Sequence, residues 1–185
     1  MKNSVTETFK VDAPIFAFSH CRDVVAAVSK AGGYGVLAAV GPTPTGLEPD
    51  LTCIENDMVD HPYGVDLIVP AKYAGSDEGG LTVNKIVDML PKEHLDYVNE
   101  ILKKYDVPEL EESLNGQFSM KNEGAAPMSA GTAGPQLEIA LAHKPTLVVN
   151  ALGPPPQFMI DKVKEAGRKV GALAGKAQHA QRQAA

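Results

Sequence analysis

Cysteine and aromatic residues are scarce in this sequence of 185 residues. It contains two cysteines, Cys21 and Cys53, and its aromatic fraction is 5% with no tryptophan. Two isolated cysteines are typical of a reducing compartment rather than of a disulfide scaffold, and each is more simply a small buried hydrophobe than a nucleophile. So few aromatic residues argue against a surface on which nucleic-acid bases stack.

Basic residues are outnumbered by acidic ones, 17 to 23. The net charge is -6, and the 17 Lys and Arg residues are scattered along the chain. This balance argues against nucleic acid or an anionic membrane as the main partner. The N-terminus lacks the apolar core of a signal peptide, and no apolar run is long enough to span a bilayer. We therefore expect a cytoplasmic protein.

The common phosphate and metal motifs are missing. No GxGxxG follows a strand, and GxxxxGK[ST], HExxH and CxxC are absent. The glycine-rich segment AGGYG, residues 31–35, follows a predicted helix and precedes a predicted strand, which is the wrong order for a dinucleotide fingerprint. Helix termination explains it better. The five histidines are far apart, so we predict no metal site.

What the sequence does contain is a strand–helix–strand unit over residues 14–40, PIFAFSHCRDVVAAVSKAGGYGVLAAV. Residues 14–18 form an apolar run without alternation, as expected of a strand buried on both faces. Ser19 or Asp23 could cap the helix that follows, and Gly32 and Gly33 end that helix. A second apolar run follows over 34–40. This pattern predicts a parallel sheet whose ligands bind beyond the carboxyl ends of the strands.

Further units of the same kind follow along the chain. We predict a helix over 47–59 and a third strand over 64–70. After residue 135 we predict a helix, a fourth strand over 146–152, another helix and a fifth strand over 169–174. Before the first unit, residues 8–11 could form a strand that plugs one end of the fold. Between the third and fourth strands, we predict that residues 71–130 form an insertion of helices and loops, with helices over 81–90 and 92–105. That insertion could be a lid over the sheet or a surface decoration without catalytic purpose.

The fold class predicted is therefore α/β, a single partial barrel domain over 1–185. Five units are too few for a closed eight-stranded barrel, which needs about 250 residues. The final helix, over 177–184, is rich in Ala and Gln and looks unfinished. We expect the chain to stop in mid-fold.

Polar residues at the ends of predicted strands are the candidate site. Ser19 and His20 close the first strand, Asp66 lies in the third, and Asn150 lies in the fourth. A buried polar group without a partner costs about 1–3 kcal/mol, so each needs one. A ligand at the mouth of a barrel could supply these partners, and neighbouring backbone groups or water could do so equally well.

Several segments resemble the nitronate monooxygenase (2-nitropropane dioxygenase) family of FMN-dependent TIM barrels. AAVSKAGGYGVLAAV resembles the family's opening, and HPYGVDLIVP is similar to its third strand. TLVVNALGPPPQFMIDKVKEAGRKVGALAG resembles its fourth and fifth units. The match covers about 14–70 and 145–185 in the right order.

The resemblance implies FMN at the carboxyl-terminal mouth of the barrel. Its ring would lie near Ala17, Phe18 and Ser19, Asp66 would stand where the family has a flavin-contacting Asn, and Asn150 would be the matching polar residue of the fourth strand. A carboxylate donates a hydrogen bond only when protonated. Asp66 would therefore be protonated, or it would accept from a flavin or ribityl donor.

The family's catalytic histidine and its phosphate-gripping loops lie in later units and match nothing in this sequence. The resemblance therefore assigns no catalytic residue, and His20, His143 and His179 are not candidates. We expect this chain by itself to bind FMN weakly or not at all, because the phosphate site is the usual anchor in such barrels.

The activity implied is FMN-dependent oxidation of alkyl nitronates or similar small substrates. Two alternatives stay open. One is a flavin-dependent enoyl reductase, whose barrel is much alike in this half. The other is an inactive half-barrel that acts only by association, as a homo-oligomer or otherwise, through its open sheet edges.

Overall fold

The sheet is the centre of the fold. The computed structural model describes residues 2–39, 44–58, 60–70, 75–78, 80–108 and 129–184. Five strands form one parallel sheet whose order follows the chain. They are β1 (Phe16–Ser19), β2 (Tyr34–Ala38), β3 (Tyr63–Leu67), β4 (Leu147–Asn150) and β5 (Lys169–Ala172).

Helices connect consecutive strands, as a parallel sheet requires, and one further helix lies at each end of the chain's order of elements. They are α1 (Ser4–Phe9), α2 (Arg22–Lys30), α3 (Pro44–Asp57), α4 (Val83–Asp88), α5 (Lys92–Lys104), α6 (Ala130–Ala142), α7 (Gln157–Glu165) and α8 (Ala177–Ala184), with a short 3-10 turn over Ser76–Glu78. The prediction of a parallel α/β fold built from five consecutive βα units is confirmed.

Helices α2, α3, α6 and α7 pack on one face of the sheet, which we call the helix face. The core there combines strand and helix side chains that are less than 4% exposed, among them Leu37, Val65, Leu67, Val148, Val25, Leu51, Leu137 and Met159. Gly35 is essential to this packing, because a Cβ at that position would lie 2.3 Å from the backbone oxygen of Val25. Glycine thus allows α2 to approach β2 closely.

The opposite face of the sheet, which we call the cavity face, carries a smaller cluster built around Tyr34, Val36 and Leu147. The Tyr34 hydroxyl lies 2.8 Å from the backbone oxygen of Tyr63 and 2.7 Å from the Thr146 hydroxyl, so its polar end is satisfied. These contacts tie β2 to the start of β3 and to the residue before β4.

Helix α1 covers the amino-terminal end of the cavity face. The Phe9 ring meets those of Phe16 and Tyr34 edge-on, with centroids 5.0 and 5.2 Å apart. The strand predicted over 8–11 is wrong: residues Ser4–Phe9 form a helix. The physical reason is the capping box of Asn3 and Thr6, which satisfies backbone groups at the start of a helix.

Two predictions about the first unit need correction. Neither Ser19 nor Asp23 caps α2; its N-cap is Cys21, whose backbone N–H donates to the Ser19 hydroxyl. Strand β1 is not buried on both faces, because Phe16 is 43% and Phe18 56% exposed. In the described part of the chain β1 pairs only with β2, so it is an edge strand beside an open cavity.

The ends of two helices agree with the sequence. Gly32 follows α2 with φ +86°, and Gly167 follows α7 with φ +69°. Both are left-handed conformations that glycine adopts without strain.

The insertion predicted over 71–130 contains α4 and α5, close to the two helices expected there. No residue of α5 is buried, and Tyr97 and Val98 are more than half exposed. Residues 109–128 lie outside the described part of the chain. The division into one partial barrel domain with an insertion stays a prediction. Within the described residues, no helix combines the length and apolar character that crossing a membrane requires.

Candidate ligand cavity on the sheet

A cavity of about 870 Å³ lies on the cavity face. This volume is within the range of about 300–1,000 Å³ that is typical of small-molecule sites. Its lining is mainly apolar and comes from α1, all five strands and the end of α7. The side chains concerned include Phe9, Phe16, Phe18, Val36, Asp66, Leu147, Val149, Leu173, Lys164, Arg168 and Lys169.

The sheet register explains why Asp66 reaches this cavity. Side chains alternate between the two faces of a strand, so Gly64 and Asp66 share one face of β3 while Val65 and Leu67 lie in the helix-face core. Ala38 and Val149 stand directly beside Asp66 on the neighbouring strands. Small or apolar neighbours leave room above the carboxyl and no charge beside it.

Asp66 is a buried acid with an unsatisfied oxygen. It is 2% exposed, and its Oδ1 has no hydrogen-bond partner among the described residues. Burial raises the pKa of the Asp66 carboxyl from an ordinary 3.8 to about 6, because the charged form loses its hydration. A ligand that offers a hydrogen-bond donor or acceptor at this point would relieve the deficit.

The predicted first-strand residues divide between the two faces. The Phe18 side chain lines the cavity, whereas Ala17 and Ser19 are not among its lining residues. The Ser19 hydroxyl accepts the Cys21 N–H at 3.0 Å. The Phe18 ring meets the His20 ring edge-on with centroids 5.4 Å apart. Of this segment, only the Phe18 side chain is available to a ligand in the cavity.

Asn150 is buried but belongs to a backbone network. Its Oδ1 accepts the Val69 N–H at 2.9 Å, and its Nδ2 lies within 3.1–3.3 Å of the backbone oxygens of Val69, Gly153 and Pro154. It does not line the cavity. Contact between its side chain and a cofactor would require these bonds to break, so the structure gives Asn150 the role of joining the segments that follow β3 and β4.

Comparison with known proteins identifies the family. A family model described as nitronate monooxygenase matches residues 1–185. The chain belongs to the nitronate monooxygenase family. The resemblance found in the sequence is thereby confirmed.

The chain is also similar to a curated protein and to two solved structures. The chain is 40% identical over 185 residues to the Mycobacterium tuberculosis protein named "Putative monooxygenase Rv1533", and the match covers 48% of that protein. It is similar to a nitroalkane oxidase from Streptomyces ansochromogenes, with a TM-score of 0.65, 19% identity, and coverage of 98% of this chain and 45% of that one. It is similar to FabK from Thermotoga maritima, with a TM-score of 0.58, 17% identity, and coverage of 98% and 40%.

These structural similarities confirm the predicted class of fold, the parallel βα units of a TIM barrel. The chain spans about half the length of the curated relative that it matches.

The cavity suits the flat ring system of a flavin. Phe16, Phe18 and Val149 provide apolar surface for a ring, and the unsatisfied Oδ1 of Asp66 lacks the polar partner that a ring edge would bring. The fit is therefore chemical: a mainly apolar wall with one buried polar group that has no partner for Oδ1 among the described residues.

Sequence reasoning missed several lining residues. Lys164, Arg168 and Lys169 lie at the end of α7 and the start of β5, and Leu173 follows β5. Nothing in their local pattern marks them, because they reach the cavity only through the pairing of β5 with β4. Phe9 did carry a signal, since the sequence predicted that its segment plugs one end of the fold.

His143 belongs to a separate cluster. Its Nε2 lies 3.1 Å from Glu48 Oε2 and its Nδ1 3.3 Å from Glu55 Oε2. Glu55 also accepts from the Tyr63 hydroxyl at 2.8 Å and from the Lys144 N–H. Partial burial opposes ionisation of Glu55, but the hydrogen bonds from Lys144, Tyr63 and His143 outweigh it and lower the pKa of Glu55. These contacts join α3, the end of α6 and β3, which is a structural role.

One further cluster contains residue types that can bind metals. The ligand atoms of Asp23, Cys53 and Asp57 lie within 4.8 Å of one another. Arg22 is beside them, with its Nε 3.8 Å from Asp23 and a hydrogen bond to Asp50. A guanidinium already supplies the positive charge there, so this cluster does not indicate a metal centre.

Proposed function

We propose that this chain forms one wall of the FMN site of an oxidoreductase that oxidises alkyl nitronates. The observation that carries the proposal is the buried Asp66 carboxyl, with no partner for Oδ1 among the described residues, in a mainly apolar cavity on the open face of the sheet. Membership of the nitronate monooxygenase family supports the choice of cofactor and substrate.

The chain's residues would bind and orient the cofactor ring. Phe18 and Val149 would pack against it, and Asp66 would hold one polar edge. The apolar lining would exclude water from the covered side of the ring. Bound FMN would supply the electron acceptor that oxidation of a nitronate needs.

No histidine is among the described residues that line the cavity. A base or acid for the substrate is therefore assigned to no residue of this chain. The activity as a whole is proposed for a protein of the family's full length, and this chain would contribute the ring-binding wall.

A titration of the isotopically labelled chain with FMN, followed by NMR, tests whether these residues bind the ring. Weak binding should shift the backbone signals of Phe18, Asp66 and Val149. A desalting column should leave the protein colourless, because we expect the phosphate anchor to lie in other units of the barrel. Phe18→Ala should weaken the shifts. Phe158→Ala is the matched control, because Phe158 is similarly exposed, at 43% against 56%, and does not line the cavity.

Shifts confined to other surfaces, or none at millimolar FMN, would contradict the proposed site. Tight stoichiometric retention of FMN would contradict the expectation that the phosphate anchor lies elsewhere. An alkyl nitronate and an enoyl thioester, each added to the chain with FMN, separate the two substrate classes: the proposal expects the nitronate to shift cavity signals and the thioester to leave them unchanged.

A further inference from the structure

Asp66 differs from every other acid of the described chain in combining burial with an unsatisfied oxygen. Its carboxyl is 2% exposed, and Oδ1 has no partner among the described residues. A buried polar side chain in the wall of a cavity, with one oxygen unpaired among the described residues, is suited to a ligand rather than to the fold.

No charged residue stands beside Asp66 in register on the two neighbouring strands. Its neighbours in register are Ala38 and Val149, which are uncharged. The charged side chains that line the same cavity with it are Lys164, Arg168 and Lys169. Lys169 begins β5 level with Gly64, so it lies two residues and two strands away from Asp66. Burial therefore dominates and raises the pKa of Asp66 to about 6.

The two protonation states offer a ligand different groups. A neutral carboxyl has one O–H donor and an acceptor, whereas a carboxylate has acceptors only. The polar edge of a flavin ring carries a ring N–H next to carbonyl oxygens. A neutral carboxyl can pair with both kinds of group, but a carboxylate would turn lone pairs toward a carbonyl and leave a charge buried under the ring.

We propose that Asp66 holds the ring edge of the ligand only in its protonated form, so that retention of the ligand depends on pH. The inference rests on the proposed function, because it takes the ligand to be a flavin. It adds that this residue makes the site sensitive to protons near neutrality.

Binding of riboflavin at about pH 5 and about pH 8 tests the inference, since riboflavin has the ring without the titrating phosphate. The wild-type chain should bind about 100-fold more weakly at pH 8, two pH units above the pKa of Asp66. Asp66→Asn keeps a donor and an acceptor and cannot ionise, so its affinity should be equal at both pH values. Asp96→Asn removes an exposed acid of α5 and should behave as the wild type.

Equal or tighter binding by the wild-type chain at pH 8 would overturn the inference and leave the flavin site standing. Failure of both the wild type and Asp66→Asn to bind riboflavin at either pH would overturn the proposed function, and the inference with it.

A measurement without ligand tests the inference about Asp66 independently of the proposed flavin site. The ¹³C signal of the Asp66 carboxyl, identified by its loss in Asp66→Asn, should titrate with a midpoint near 6. A midpoint near the ordinary value of about 4 would overturn the inference whatever riboflavin does.

Discussion

Replacement of Asp66 by asparagine should stabilise the folded chain at neutral pH. The wild-type fold buries a carboxyl that lacks a partner for Oδ1 among the described residues, and its charged form is penalised by lost hydration. Asparagine has nearly the same shape and carries no charge at any pH, so the substitution removes this penalty with little change in packing.

The size of the effect follows from the pKa. A rise from 3.8 to about 6 is about 2 pH units, and each unit corresponds to about 1.4 kcal/mol, which gives about 3 kcal/mol. The cavity beside Asp66 is open, and solvent screening across it reduces the penalty. We expect Asp66→Asn to raise the free energy of unfolding by about 1–3 kcal/mol at pH 7.

The sign of the pH dependence is fixed by the direction of the shift. The folded state holds the Asp66 proton more tightly than the unfolded state does. The stability associated with this proton is therefore fully present below about pH 4 and is lost as the pH rises through about 6. The advantage of Asp66→Asn should grow across the same interval.

Urea unfolding of both proteins, followed by circular dichroism between about pH 4.5 and pH 7.5, measures the difference in unfolding free energy. Because other carboxyls titrate equally in the two proteins, the difference isolates Asp66. A difference that stays constant across this range, or that favours the wild type at pH 7, would refute the argument that burial raises this pKa.

Three other substitutions test the packing and the polar contacts. Gly35→Ala should destabilise the fold by about 1–3 kcal/mol in thermal or urea unfolding, because the new Cβ would meet the backbone of α2. The control is Gly134→Ala, inside α6, where an added Cβ has nothing within 4 Å; it should be neutral or stabilising. Equal effects of the two substitutions would contradict the close approach of α2 to β2. Tyr63→Phe should cost about 1–2 kcal/mol at pH 7, since it removes a hydrogen bond to Glu55. Because the pKa of Glu55 is lowered in the folded state, part of the wild-type stability is lost on acidification. Tyr63→Phe should lose less stability than the wild type as the pH falls. The same dependence of stability on pH in both proteins would argue against this role of Tyr63. Asn150→Leu should cost about 2–4 kcal/mol in urea unfolding, because it leaves buried backbone groups unpaired, and a neutral result would mean that its hydrogen bonds do not join the two segments.

Much of the fold could be predicted because its signals are local. Apolar runs of about five residues, separated by amphipathic helices, predicted the positions of β2 to β5. Gly32 and Gly167 marked the ends of two helices through a conformation that other residues avoid. The strand expected over 8–11 failed because the capping box of Asn3 and Thr6, a pairing of side chains with backbone, starts a helix there instead.

The burial of β1 could not be predicted, because it depends on neighbours that are distant in sequence. A mainly apolar segment such as Phe16–Ser19 is consistent with a central strand. It is an edge strand because, among the described residues, it pairs with β2 alone. The cavity lining from α7 and β5 depends on the same kind of long-range contact.

For the candidate site too, the sequence determined one part and the tertiary structure the other. The sequence by itself determined that Asp66 and Asn150 are polar residues in buried strands and therefore need partners. Only the tertiary structure decided which of them lines the cavity. Asp66 pairs in register with Val149, and Asn150 with Leu67, so the two are offset by one residue and point to opposite faces of the sheet. Because side chains alternate with a period of two, that single step directs Asp66 into the cavity and Asn150 into the backbone network.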